Sequence, residues 1–383
     1  MKRNKILAAA IVAAFLTPLQ SFADTANVNV YGNFDVSYDS INTGTATNGT
    51  HGTTSNRVSS NTSFIGFKGS VEADEGLSAI WQVESLVNVG DSAANGTPTG
   101  ATTNNGIGYL GNRNTFVGLK SDGYGTVFAG RNDTPYRLST RRFDVFDRGI
   151  ADNRSILGGS NVAAKASFDG RQDQVVAYIS PSLGGVTVAA AHVNLSPTVS
   201  TGGTFQGNAT SVAAWYNANG FYGTLAYELH DLQAQVGGTG SEHADKLGAG
   251  YTQDGVYSVG FVAEKTGDNL GTSGADKFGH NAYYLSGKLY VGSAGAIKAA
   301  LTDAGNIGGA ANTGVKQYSL GYDHSLNKRT TLYALYTKLS NESAAGYSLS
   351  ISNGTAASIG GPSTIAGTGA SPSALAAGVL VTF

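Results

Sequence analysis

From about residue 27 onward the chain alternates apolar and polar residues with a period of two, and no stretch carries the period of a helix. Val28, Val30, Gly32, Phe34, Val36 and Tyr38 share one face of the first run, while Asn29, Tyr31, Asn33, Asp35 and Ser37 share the other. A period of two is a strand with two chemically different faces. The second face is too polar for a packed interior, so the run reads as a wall between lipid and water. Lipid tolerates no unpaired backbone groups, and strands therefore cross it only as a closed barrel.

Counting the runs gives sixteen strands, among them Ser59–Glu72, Arg113–Lys120, Gln172–Ile179, Phe221–His230 and Lys246–Thr252. Seven short turns, such as Asn219-Gly220 and Asp254-Gly255, alternate with eight longer loops, such as Val89–Leu110 and Asn341–Pro372. Even strand number, short turns at one end and long loops at the other are the habit of bacterial outer-membrane barrels. The expected fold is all-β: a transmembrane antiparallel β-barrel of sixteen strands, with both termini on the periplasmic side. Sixteen strands leave an aqueous channel rather than a filled core.

The first 23 residues stand apart. Lys2, Arg3 and Lys5 precede an apolar stretch, Ile6–Leu16, and Ser21-Phe22-Ala23 offers a small-x-small cleavage site. That is a secretory signal peptide, too short and wrongly flanked for a membrane span. Residues 24–383 then form one barrel domain. Cleavage removes three of 24 basic residues, leaving 21 against 26 acidic ones and a net charge of −5. The chain has no cysteine, which excludes disulfides and thiolate chemistry.

One stretch breaks the monotony. Seven of the eleven arginines fall between Arg131 and Arg171, interleaved with Asp133, Asp144, Asp147, Asp152 and Asp169. It reads as a long outer loop, the third, folded into the barrel lumen so that its charges filter solutes. Charged groups in a narrow aqueous passage set ion preference, because low-dielectric walls focus the field. Within it Arg137, Arg141, Arg142 and Arg154 face Asp133, Asp144 and Asp147 as candidate constriction residues; the bland alternative is salt bridging that only fixes the loop. By alternation Phe116 faces lipid, which turns Arg113, Thr115 and Val117 inward. Tyr178 does the same for Arg171 and Asp173. The alternative for Arg113 and Arg171 is neutralising headgroup or lipopolysaccharide phosphates at the rim. Lys68, Lys246, Lys288 and Lys298 are also inward by alternation, against Asp35, Glu84, Glu228, Glu264 and Asp323. From Arg131 to Asp173 eight basic residues oppose six acidic ones, so a mild anion preference is expected, set mainly by Arg113, Arg171 and the loop arginines.

Other functions fare poorly. The six histidines are scattered, none at metal-ligand spacing, and no nucleophile–base–orienter set is evident. No enzyme, no cofactor and no nucleic-acid partner is expected at this charge. The competing class is an adhesin or receptor working through its long outer loops.

Several runs resemble the Gram-negative general porins, specifically the β-proteobacterial and neisserial branch: VNVYGNFDVSYDS, SFIGFKGSVEADEGLSAIWQVES, NTFVGLKSDGYGTVFAGRNDTPY, RQDQVVAYISPSLGGVTVAAAHV, YDHSLNKRTTLYALYTKLS and the terminal Phe383. The resemblance implies an outer-membrane homotrimer passing small hydrophilic solutes and ions, in contact with outer-membrane lipid and lipopolysaccharide. It also implies a third loop folded inward, here residues 132–168. The chain departs from the family in placing Phe64, not a basic residue, just before Ile65-Gly66-Phe67-Lys68-Gly69, and in ending on GVLVTF without basic residues.

Overall fold

The computed structural model describes residues 27–87, 89, 110–159, 168–195, 207–235, 238–349 and 366–383. The signal peptide, most of the Val89–Leu110 loop, residues 160–167 of the Arg-rich segment and part of the Asn341–Pro372 loop lie outside them. In chain order the strands are β1 (Asn29–Asn42), β2 (Thr54–Ser60), β3 (Phe64–Asp74), β4 (Leu77–Leu86), β5 (Thr115–Ser121) and β6 (Gly125–Asp133). After the helix α1 (Pro135–Thr140) come β7 (Arg171–Ile179), β8 (Val186–Leu195), β9 (Gly207–Ala218), β10 (Phe221–Gln235) and β11 (Gly238–Gln253). The last six are β12 (Tyr257–Asp268), β13 (Asn281–Val291), β14 (Gly295–Ala304), β15 (Val315–Asn327), β16 (Thr330–Asn341) and β17 (Ser373–Thr382).

Apart from β2 and β3, each strand pairs antiparallel with the next, and β17 returns to β1 from Asn33↔Thr382 to Asn42↔Ser373. β2 and β3 are two stretches of one barrel strand: both pair with β1, at Val36↔Ser60 and Asn33↔Phe64, with a one-residue slip around Asn61–Ser63. The result is a closed antiparallel barrel of sixteen strands, as the alternation predicts. β1 begins and β17 ends at the short-turn end, where Gly32 and Phe383 exchange backbone hydrogen bonds.

Burial is inverted relative to a soluble protein. In β1 Phe34 and Tyr38 are exposed while Asn33, Asp35, Ser37 and Asp39 are buried, and Asp39 is 0% accessible. The same holds in β10 and β15, where Phe221, Leu225, Tyr318, Leu320 and Tyr322 face out and Glu228, His230, Gln317 and Ser319 are covered. Only a lipid solvent makes that arrangement favourable.

The strands extend further toward the long-loop end than alternation indicates. Residues 231–235 and 238–245, expected to connect the two strands, continue the β10–β11 hairpin to Gln235↔Gly238. In the sequence, Asp231, Ser241, His243 and Asp245 interrupt the apolar alternation there, so its signal fades while backbone pairing continues. Two inward assignments are also corrected. Phe116 packs on Phe128, centroids 4.7 Å apart, and Val117 is exposed, so the parity of β5 is the reverse of that expected. In β7 a bulge intervenes: the register slips between Gly130↔Val175 and Asn132↔Gln172, with Gln174 at φ 55°. A bulge adds one residue and re-aims those around it. Asp173 therefore pairs with Arg131 at 2.6 Å and stays largely exposed, while Arg171 turns to Asp133.

Candidate functional site

The Arg-rich segment has local structure of its own. Thr134 caps α1 through its hydroxyl, which accepts from Arg137 N, and Pro135 occupies the first turn where its missing N–H costs nothing. Short 3₁₀ turns follow at Arg141–Phe143 and Asn153–Ser155. Asp152 caps the second by accepting from Arg154 N.

The segment is docked on the polar face of the wall by anchors that lie far away in sequence. Tyr136 N donates to Ser211 Oγ at 2.9 Å, and Tyr136 Oη to Glu264 Oε2 at 2.8 Å. Gly158 N donates to Glu264 Oε1 at 2.8 Å. Lys246 Nζ bridges Asp169 at 2.7 Å and Glu264 at 3.3 Å, fully buried. Tyr284 reaches Asp144, Ser286 reaches the Phe143 carbonyl, and Arg148 reaches Asn33 on β1. Two rings fill glycine sockets: Phe143 over Gly248, Gly250 and Gly260, and Phe146 over Gly321. A Cβ at Gly250 would lie 2.6 Å from the Phe143 ring, so only glycine admits that contact. Phe143, Phe146, Ile150, Ile156 and Leu157 are buried in one cluster with Val262, Tyr284 and Leu335.

Between the segment and the strands around β3–β7 lies a cavity of about 330 Å³, lined by Thr62, Leu86, Leu138, Arg113, Asp133, Arg137, Arg141, Asp147, Arg148, Arg154 and Arg171. Seven of the nine expected constriction residues thus converge. Asp144 sits behind the lining, held by Tyr284, Phe146 N and Asn153 N. Arg142 is elsewhere, against Asn217 and Tyr222.

The arginines are extensively paired. Asp133 takes Arg137 at 3.2 Å and Arg171 at 3.1 Å. Arg113 meets Glu84 at 3.4 Å and stacks 4.5 Å over the Phe64 ring. Phe64, the departure from the family pattern, is thus a cation–π platform for Arg113. Arg141 gathers Asp144, Asp147 and Asp152, and Arg154 grips Asp152 through Nε at 3.0 Å and Nη2 at 2.6 Å. Burial acts to lower the Arg141 guanidinium, but its three carboxylates outweigh that and hold it well above its ordinary value. Burial pulls Arg137 down to about 10 against the support of Asp133, so it stays charged at neutral pH. Burial would raise Asp152, yet Arg141 and Arg154 hold it below the usual carboxylate range. Asp144 goes the other way: burial and the neighbouring Asp152 push it up to about 7.

The candidate constriction residues did not include Asp152, Arg148 or Tyr136, and alternation, though it turned Lys246 and Glu264 inward, did not join them to Asp169. Lys246, expected as a pore-facing cation, is instead a buried anchor. Lys288 and Lys298 both face Asp323, at 3.7 and 2.8 Å.

A closed barrel with an apolar outer face, a polar inner face and a charged, arginine-rich segment hydrogen-bonded to that polar face defines a channel-type outer-membrane β-barrel. Over residues 8–344 the chain matches the family model described as Gram-negative porin, and it belongs to that family. It is 27% identical over 362 residues to outer membrane porin protein 32 of Delftia acidovorans, covering 90% of this chain and 91% of the relative. It is 28% identical over 262 residues to major outer membrane protein P.IB of Neisseria lactamica, covering 67% and 69%. Among solved structures, the anion-selective porin from Comamonas acidovorans superposes with a TM-score of 0.74 at 22% identity, over 94% of this chain and 100% of that one. Two of these relatives are named porins and the third a major outer membrane protein, and they lend no support to the adhesin reading.

Proposed function

We propose that this porin is a passive, mildly anion-preferring channel for small hydrophilic solutes, with residues 132–168 folded into the lumen as its constriction. The observation that carries this is the convergence of six guanidiniums on one cavity of about 330 Å³ between the segment and the wall. The likeness in fold to an anion-selective porin supports the same sign of preference. The channel acts as a homotrimer set in outer-membrane lipid and lipopolysaccharide after removal of residues 1–23. It works without cofactor, catalysis or energy source. Planar-bilayer recording tests the proposal: stepwise conductance and a reversal potential on the anion side in a KCl gradient are expected at low salt. A channel that passes no current, or one already cation-selective at low salt, overturns it.

A further inference from the structure

Every arginine between Arg131 and Arg171 except Arg142 has a carboxylate within ion-pair reach among the described residues. The six guanidiniums around the cavity meet Glu84, Asp133, Asp144, Asp147 and Asp152. With all five ionised, that assembly carries one net positive charge. Arg142 alone supplies as much.

Its setting is also different. Arg142 is exposed and absent from the cavity lining. Its Nη1 donates to Asn217 Oδ1 at 2.9 Å, and its guanidinium lies 4.8 Å over the Tyr222 ring. Asn217 and Tyr222 flank the Asn219–Gly220 turn, so Arg142 stands toward the short-turn end. On the same polar face and toward the same end, Lys288 and Lys298 share the single carboxylate of Asp323. One contact to an amide and one to a ring hold the guanidinium in place while leaving N–H donors free. A planar fork so presented suits the carboxylate or phosphate group of a solute.

We infer that Arg142 is a second anion station and a specificity-determining residue, separate from the paired arginines and lying between them and the short-turn mouth. This rests on the channel reading above. Solute anions leave the compensated cluster for an uncompensated charge, which biases passage without the tight binding that would stall it.

The test is bilayer recording on the full-length trimer with Arg142→Ser, Arg142→Lys and the charge-neutral pair Arg154→Gln with Asp152→Asn. Inorganic phosphate serves as the probe anion, and retention of the heat-modifiable trimer band controls for assembly. Arg142→Ser should roughly halve the anion-to-cation permeability ratio at low salt and weaken the saturation of conductance by phosphate. Arg142→Lys should keep the ratio and lose part of the phosphate saturation. The paired variant should leave the ratio nearly unchanged. Wild-type ratio and saturation in Arg142→Ser overturn the station, whatever the wild-type selectivity proves to be. A cation-selective wild type that Arg142→Ser shifts still further toward cations keeps the station and defeats the anion-channel reading instead.

Discussion

The Tyr136 hydroxyl donates to the Glu264 carboxylate at 2.8 Å across 128 residues of sequence, and both side chains are buried. That bond and the Lys246 bridges fasten the segment to β11 and β12. Tyr136→Phe removes one hydrogen bond and should cost about 1–2 kcal/mol. Glu264→Ala leaves buried Lys246 with Asp169 alone and strips Gly158 N of its acceptor, so about 3–5 kcal/mol is expected. Thermal unfolding of the two variants in detergent should rank them in that order; equal midpoints would show that Glu264 does not anchor the segment.

Gly250→Ala and Gly260→Ala each place a methyl group against the Phe143 ring. Overpacking of this kind costs about 1–3 kcal/mol, and the ring must leave its socket. Single-channel conductance should therefore change in both variants. Gly223→Ala, whose added Cβ meets nothing within 4 Å, should conduct as wild type does.

Acidity should tune selectivity through Asp144. Its folded value of about 7 lies above the ordinary carboxylate value, so between about pH 4 and 7 the folded protein holds a proton that the unfolded chain releases. Stability from this group is full below about pH 4 and is lost as pH rises through 7. Asp152 has the opposite sign, its contribution being lost only on strong acidification. Over the same upper window the segment gains one positive charge as pH falls. Reversal potentials measured from pH 8 to pH 6 should move toward anions, and Asp144→Asn should abolish that step.

Deleting residues 137–152 removes four arginines and both phenylalanine plugs, and it should raise single-channel conductance if the barrel still assembles. Unchanged conductance in an assembled trimer would mean that the segment does not narrow the passage.

The barrel was legible in the sequence because lipid and water sort alternate residues, and Phe34 and Asp35 already announce opposite solvents. The clustering of Arg137, Arg141, Arg154 and Arg171 was legible as composition, whereas Arg113 joins them although the alternation argument that turned it inward is reversed in β5. Their pairing was not: whether Arg141 meets three carboxylates and Arg142 none depends on how Asp144, Asp147 and Asp152 fold back within the segment. Asp173 was misplaced because a single bulge at Gln174 resets the alternation, and a bulge leaves no compositional mark there. Phe116 misleads for a simpler reason: by alternation an aromatic residue faces lipid, but this one packs on Phe128. The sockets at Gly248, Gly250 and Gly260 looked like unremarkable glycines until the rings above them were placed.

The β10–β11 hairpin runs 15 and 16 residues a side, whereas about 9–11 suffice to cross the membrane. Its neighbours β9 and β12 have 12 residues each, so at about 3.4 Å per residue it extends on the order of 10 Å along its own axis beyond them. Among the described residues a stiff paired ribbon therefore stands above β9 and β12 at the long-loop end. A bulky solute, an antibody or a phage tail approaching over that flank meets hydrogen-bonded backbone before it meets the opening.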